Sequence, residues 1–171
     1  EMKARKAWWG PWNMGIEGQW VTVKNGMMIW KLMVQSVLDY ATEVFGLLEK
    51  LEEAEGVARK MGKAILGVRK STVNEVVMGE LGWWRMKGRR DFLRLLYWRE
   101  VLMKKKRLRW EVYQEGTRRI GKDEGAWCDY TRKMMKEVGL GEYGENQDVM
   151  DVYKRSWRAI VWKKIQDKEE E

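Results

Sequence analysis

From Gly26 onward the apolar residues recur at steps of three and four, and nothing in the chain reads as a strand for longer than Gln19 to Val23. That period admits helices packed on helices and leaves little to build a sheet. The expectation is an all-α fold: an irregular helical bundle with a long antiparallel helix hairpin and a basic helix. Pro11 is the one proline, and Gly10-Pro11 stops a short helix over residues 1 to 9, because proline cannot continue the hydrogen-bond ladder. Residues 13 to 25 carry Gly15 and Gly18 without a helical period and read as a loop.

Between Gly26 and Phe45 the residues Ile29, Leu32, Met33, Val37, Tyr40 and Val44 form the stripe of an amphipathic helix, the face such a helix ordinarily turns to the core, and Gly46 ends it. A second stripe, Leu51, Ala54, Ala58, Met61 and Ile65, runs to Gly67, with Glu49, Glu52 and Glu53 near its start, where the helix dipole favours anions. The short connection makes the two helices antiparallel. Thr72 and Glu75 have capping-box spacing, which predicts a brief helix from about Val73 to Gly82. The longest candidate helix runs from about Lys87 to Val112, with Phe92, Leu93, Leu95, Leu96, Trp98, Val101 and Leu102 as its apolar cluster. After Gly116, Gly121 and Gly125 come a helix from about Ala126 to Val138, closed by Gly139, and a last one from about Gln147 to Lys168. Glu169 to Glu171 read as a frayed, solvated tail, and no internal repeat is present. Two parts are expected, residues 1–82 and 83–171, or a single continuous domain.

Several functions are excluded by what the chain lacks. Its 171 residues with 44% hydrophobic side chains suffice for a core, while 35% charged residues and a mean hydropathy of -0.63 argue against a membrane protein. Lys31, Gln35, Asp39 and Glu43 interrupt even the most apolar window, so no run reaches the roughly 20 residues a spanning helix needs. The start, Glu1 to Lys6, has no apolar segment behind it to act as a secretory signal, and opening on Glu1 rather than Met fits a piece of something longer. Cys128 is the single cysteine, which removes internal disulfides and implies a reducing intracellular compartment, cytoplasmic or nuclear. The absence of histidine removes the commonest general base and the commonest zinc ligand together. No catalytic residue, cofactor or metal site is expected. Cys128 reads as a small buried apolar residue, and Glu52, Glu53 and Glu55 as a solvated helix face.

The charge is unevenly placed. Between Arg85 and Arg109 stand eleven bases, Arg85, Lys87, Arg89, Arg90, Arg94, Arg99, Lys104, Lys105, Lys106, Arg107 and Arg109, against Asp91 and Glu100. That window carries +9 of a net +8, so the rest of the chain is -1. Lysines and arginines along a helix can track a phosphate backbone and release its counterions, with little sequence information. At helical spacing Lys87, Arg90 and Arg94 are expected on one face, with Lys105 and Arg109 further along. Twelve tryptophans are many for this length, and the adjacent pairs Trp8-Trp9 and Trp83-Trp84 sit beside bases, where a ring could stack on an unpaired nucleobase. Adjacent residues on a helix point about 100° apart, so one ring of each pair is expected in the core.

Three blocks in order resemble the region downstream of the polymerase palm in non-LTR (LINE-type) retrotransposon reverse transcriptases. The first is Val23-Lys24-Asn25-Gly26, Trp30-Lys31-Leu32-Met33-Val34 and Val37 to Phe45, similar to the thumb helix of that family. The second is Arg59-Lys60-Met61-Gly62-Lys63-Ala64-Ile65-Leu66-Gly67-Val68. The third and most specific is Ser71 to Glu75, then Gly79-Glu80-Leu81-Gly82-Trp83-Trp84, Arg89-Arg90-Asp91 and Tyr97-Trp98. The resemblance covers about residues 20 to 115 and is weaker over Trp127-Cys128 to Leu140. Ser36 and Arg85 stand where the family often has proline, and Phe45 where it often has tryptophan.

The resemblance implies a thumb-like fragment that holds RNA or an RNA–DNA template-primer. It does not bring the palm, because the paired aspartates of a Tyr-x-Asp-Asp setting are absent and Asp39-Tyr40 is not that motif. Without two carboxylates to hold two magnesium ions, phosphoryl transfer has no centre. The competing expectations are a helical module that docks a palm or another protein chain, and an inactive retroelement relic.

Overall fold

Every element described by the computed structural model is helical; it describes residues 21–40, 51–103, 108–118, 127–145 and 154–170, and no strand occurs among them. The all-α expectation therefore holds. The described residues divide into two compact units, one ending at Lys87 and the other starting at Gly88, five residues beyond the boundary expected from sequence.

In the first unit, α1 (Val23–Ile29), a π-helical stretch (Trp30–Gln35) and α2 (Ser36–Asp39) follow without a break. The helix begins inside the expected loop because the Thr22 hydroxyl accepts from the Asn25 N–H at 3.4 Å and caps it. Gly26, Trp30, Val34 and Leu38 are buried, at steps of four. On a regular α-helix twelve residues would carry the last of these about 120° away from the first. The wider π turn advances less per residue and keeps all four on one line. The expected stripe is thus corrected: Leu32, Met33, Val37 and Tyr40 face outward, and the core takes the line beside them.

α3 (Leu51–Leu66) buries Ala54, Ala58, Met61 and Ile65, the stripe read from sequence. Near its C-terminal end it meets the start of α1, where Gly26 lies against Ile65: a Cβ at Gly26 would stand 3.0 Å from the Ile65 Cγ1. Gly62 plays the same part toward α4 (Asn74–Glu80), where a Cβ would come within 2.8 Å of the Val77 Cγ1. Small residues at these crossings let the backbones approach. The Thr72–Glu75 capping box does not form. The N-cap is Val73, one residue later, with no side-chain cap, which leaves Thr72 a position too early to reach the first turn. Gly82, at φ 60°, closes α4 with the double bond of a Schellman motif, Gly82 N–H to Gly79 C=O and Trp83 N–H to Met78 C=O. Gly67 and the expected Gly139 end their helices in the same way.

Glu55 departs from the expected solvated acidic face. It is buried, and its carboxylate accepts from the backbone N–H of Met86, the first residue of α5 (Met86–Met103). A carboxylate from α3 thereby satisfies an orphan N–H at a helix start and complements its dipole. Glu52, by contrast, is exposed and pairs with Arg59 at 3.3 Å.

The second unit holds α5 from Gly88 onward, α6 (Leu108–Arg118), α7 (Trp127–Glu137), a short α8 (Gly141–Glu145) not anticipated from sequence, and α9 (Lys154–Glu170). α5 is central. Trp98 lies 6.0 Å from Trp157 of α9, whose indole N–H donates to the Leu95 carbonyl at 3.3 Å, and Tyr97 meets Trp127 of α7 edge to face at 6.0 Å. Phe92, Leu95, Trp98 and Val101 are buried with Met134, Met135, Val138, Leu140, Val161 and Ile165. The helix expected to Lys168 continues to Glu170, and the Glu169 carboxylate reaches Gly88 near the start of α5, where a side chain would displace it. The single helix expected from Lys87 to Val112 is described as two, with residues 104–107, like the expected helix over 1 to 9 and the stop at Gly46, outside the described residues.

The two glycines of α3 predict opposite outcomes for one substitution. Gly56 has open space beside it, so Gly56→Ala should stabilise by about 0.5–1 kcal/mol through helix propensity. Gly62→Ala forces a methyl against Val77 and Leu81 and should destabilise by about 1 kcal/mol or more. Urea unfolding midpoints of both variants check this, and equal shifts would refute the close-packing account.

Candidate nucleic-acid interface

Among the described residues, the bases of the Arg85–Arg109 window are not all at the surface. Arg85 and Lys87 are exposed on the first unit. In the second, Arg109 is exposed, and Arg89 and Arg90 are half-buried. Lys104, Lys105, Lys106 and Arg107 lie outside the described residues. Arg94 and Arg99 are interior, 1% and 8% exposed, so they are not placed to meet a phosphate. The shared face expected for Lys87, Arg90 and Arg94 is not observed, because α5 is covered from more than one side and a position next to Trp98 on the wheel is a core position.

What holds Arg94 inside is a polar set among aromatic walls. Its guanidinium lies 3.8 Å from the Asp91 carboxylate, one turn earlier, and 4.4 Å from the centre of the Tyr130 ring on α7. A planar cation that stacks on a ring and pairs with an acid is the form in which arginine tolerates burial. The same set acts on Tyr130. Burial first, then the neighbouring Asp91 charge, raise its phenol above the ordinary tyrosine value, against the opposing pull of Arg94.

The expected stacking rings are also redistributed. Trp83 lies face to face with the buried Trp30, ring centres 4.5 Å apart and planes 19° from parallel, so one of its faces is already used. Trp84 is half-buried, and Trp8 and Trp9 lie outside the described residues. Sequence reasoning missed a different group. Trp110 and Tyr113, one turn apart on α6, stack at 5.5 Å, and Trp127 at the start of α7 stands edge-on to both Tyr113 and Tyr97 at 6.3 and 6.0 Å. All four rings are partly exposed, and the exposed Arg109 sits 5.9 Å from the Tyr97 ring centre. The signal was the i, i+3 spacing of Trp110 and Tyr113 directly after the basic run, but Trp127 joins them only through the fold. Cys128, next to this group, is buried with its thiol toward the Tyr113 carbonyl at 3.8 Å, as expected of an apolar core residue.

This arrangement offers a guanidinium and flat ring edges and faces, suited to phosphates and unpaired bases. Acidic side chains stand nearby on α6, Glu111 exposed and Glu115 paired with Arg118 at 3.8 Å, so the surface is mixed rather than uniformly basic. Among the described residues no group of three or more His, Cys, Asp or Glu is placed to hold a metal, and no helix is long and apolar enough to cross a membrane. Compared with protein-family models, curated proteins and solved structures, the chain matches none.

The raised Tyr130 value has a defined consequence. A group that holds its proton more tightly when folded adds stability below its unfolded pKa, about 10, and that contribution is lost as pH rises through the folded value. The stability gap between the wild type and Tyr130→Phe should therefore be constant from pH 7 to 9 and change against the wild type above pH 10. Urea melts across that range read it; a gap independent of pH would contradict the burial of the phenol.

Proposed function

We propose that this chain holds nucleic acid by contacts to backbone and exposed bases, as a thumb-like fragment of a retroelement reverse transcriptase that performs no chemistry by itself. The observation that carries it is the pairing of exposed Arg109 with the partly exposed rings of Tyr97, Trp110, Tyr113 and Trp127. A base concentration of +9 between Arg85 and Arg109 supports the same reading, as does the three-block sequence resemblance, which falls largely on described helices. Arg109 would meet phosphate and the rings would meet bases, a mode tolerant of sequence. RNA or an RNA–DNA hybrid with an unpaired end is the class of ligand this serves. Arg94 and Arg99, being interior, take no part in this reading, which gives phosphate contacts to exposed Arg109 and, on the first unit by themselves, to exposed Arg85 and Lys87.

Binding of a mixed-sequence RNA–DNA hybrid with a single-stranded overhang should weaken steeply between 50 and 200 mM salt, as counterion release demands. Arg85→Glu with Lys87→Glu should lower the slope of log affinity against log salt by about two. Trp110→Ala should cost about 1–3 kcal/mol on the overhang substrate and little on a blunt duplex. Affinity indifferent to salt, or equal losses on both substrates, would remove the proposal. Arg94 is unsuited to this test, since its reversal would bury an acid beside Asp91.

A further inference from the structure

The end of α3 and the turn that follows it carry a second concentration of bases. From Arg59 to Asn74 stand Arg59, Lys60, Lys63, Arg69 and Lys70, with no acid among them. None of the five is interior: Lys60, Arg69 and Lys70 are exposed, and Arg59 and Lys63 are half-buried. Arg59 is paired with Glu52, whereas Lys60, Arg69 and Lys70 make no ion pair among the described residues. We propose that Lys60, Arg69 and Lys70 grip the phosphodiester backbone of double-stranded nucleic acid. The inference rests on the nucleic-acid reading above and adds to it a contact for the paired part of the ligand, built wholly within the first unit.

The turn is held in place by its own hydrogen bonds. Gly67, at φ 64°, ends α3, with its N–H donating to the Ala64 carbonyl at 3.2 Å and the Val68 N–H to the Lys63 carbonyl at 3.1 Å. The Thr72 N–H then donates to the Arg69 carbonyl at 3.0 Å, closing a β-turn with Lys70 and Ser71 at its centre. From α3 the Lys63 ammonium donates to the Lys70 carbonyl at 2.7 Å. Two carbonyls of the turn are thus occupied from within the protein, and the side chains it presents to solvent are the donors of Arg69, Lys70 and Ser71. The free oxygens of a phosphodiester are acceptors only, so the match is one of donor to acceptor as well as of charge.

Lys60 and Lys63 are neighbours one turn apart on α3, and the Lys63 bond brings the Lys70 backbone alongside them. The helix dipole favours Lys63, in the last turn, but Arg69 and Lys70 lie beyond the helix and gain little from it. Like charges gathered without an acid repel one another in the free protein, and a polyanion relieves that repulsion while releasing its own counterions. The segment also selects among polyanions. No aromatic residue stands between Arg59 and Asn74, so nothing here stacks on an unpaired base and the contact is with the backbone. An anionic membrane fits less well, because the exposed apolar side chains of the turn are the short Val68 and Val73, with no exposed Trp, Phe or Leu to enter a bilayer interface.

The test is binding of the full chain to a blunt mixed-sequence RNA–DNA hybrid across 50 to 200 mM salt, beside the same hybrid with a single-stranded overhang. Arg69→Gln with Lys70→Gln should lower the slope of log affinity against log salt by about two, and adding Lys60→Gln should lower it by about one more. The loss should be the same on both ligands, in contrast to that of Trp110→Ala. Arg69→Lys with Lys70→Arg should keep the slope, because charge is what the backbone reads. The melt of every variant should match the wild type, since these side chains are exposed and Lys63 bonds the Lys70 backbone, which all of them retain. An unchanged slope in the Arg69→Gln/Lys70→Gln variant overturns the proposal and leaves the nucleic-acid reading standing; a wild type that binds neither ligand removes both. Loss of binding to phosphatidylserine vesicles with no change on the hybrid would give the turn to a membrane and equally refute it.

Discussion

The enclosure of α5 is the constraint from which most of the second unit follows. A helix with α7 on one side and α9 on another has little free surface, so its charged residues must be either at its ends or provided for inside. Arg94 is provided for: Asp91 supplies the opposite charge and Tyr130 a ring to lie against. Removing a guanidinium from water costs several kcal/mol unless such partners are in place, so the interior of this unit is specified by polar geometry as well as by the fit of Trp98 and Trp157.

In the first unit the corresponding constraint is the choice of buried face. Two apolar lines run along residues 23–39, and only one can meet α3. Gly26 decides at the helix start, because its missing side chain lets α1 approach Ile65, and the π turn carries that choice along to Leu38. Glu55 shows a similar division within α3, turned inward to start α5 while Glu52 remains on the surface with Arg59.

These arrangements bear directly on function. A window of +9 describes a segment, not a surface, and packing removes two arginines from it while leaving Arg109 among rings gathered from three helices. The proposed binding surface is accordingly smaller and more aromatic than the charge of the window by itself suggested.

By itself the sequence determined that the described chain is helical, where α3, α4, α7 and most of α5 lie, that Gly67, Gly82 and Gly139 end helices, and that there is no histidine and a single cysteine. Those properties are local: a 3.6-residue period, a positive φ that glycine adopts readily, the presence or absence of a functional group. The cap of α4 was misread because Thr72 and Val73 differ by one residue, and spacing alone does not say which is the last extended position. The tertiary structure alone decided which of two apolar lines is core, that Glu55 and Arg94 turn inward, and that Tyr97, Trp110, Tyr113 and Trp127 meet. Each of these depends on what a neighbouring helix presents, and burial is a property of the pair of surfaces rather than of the residue that carries the charge or the ring.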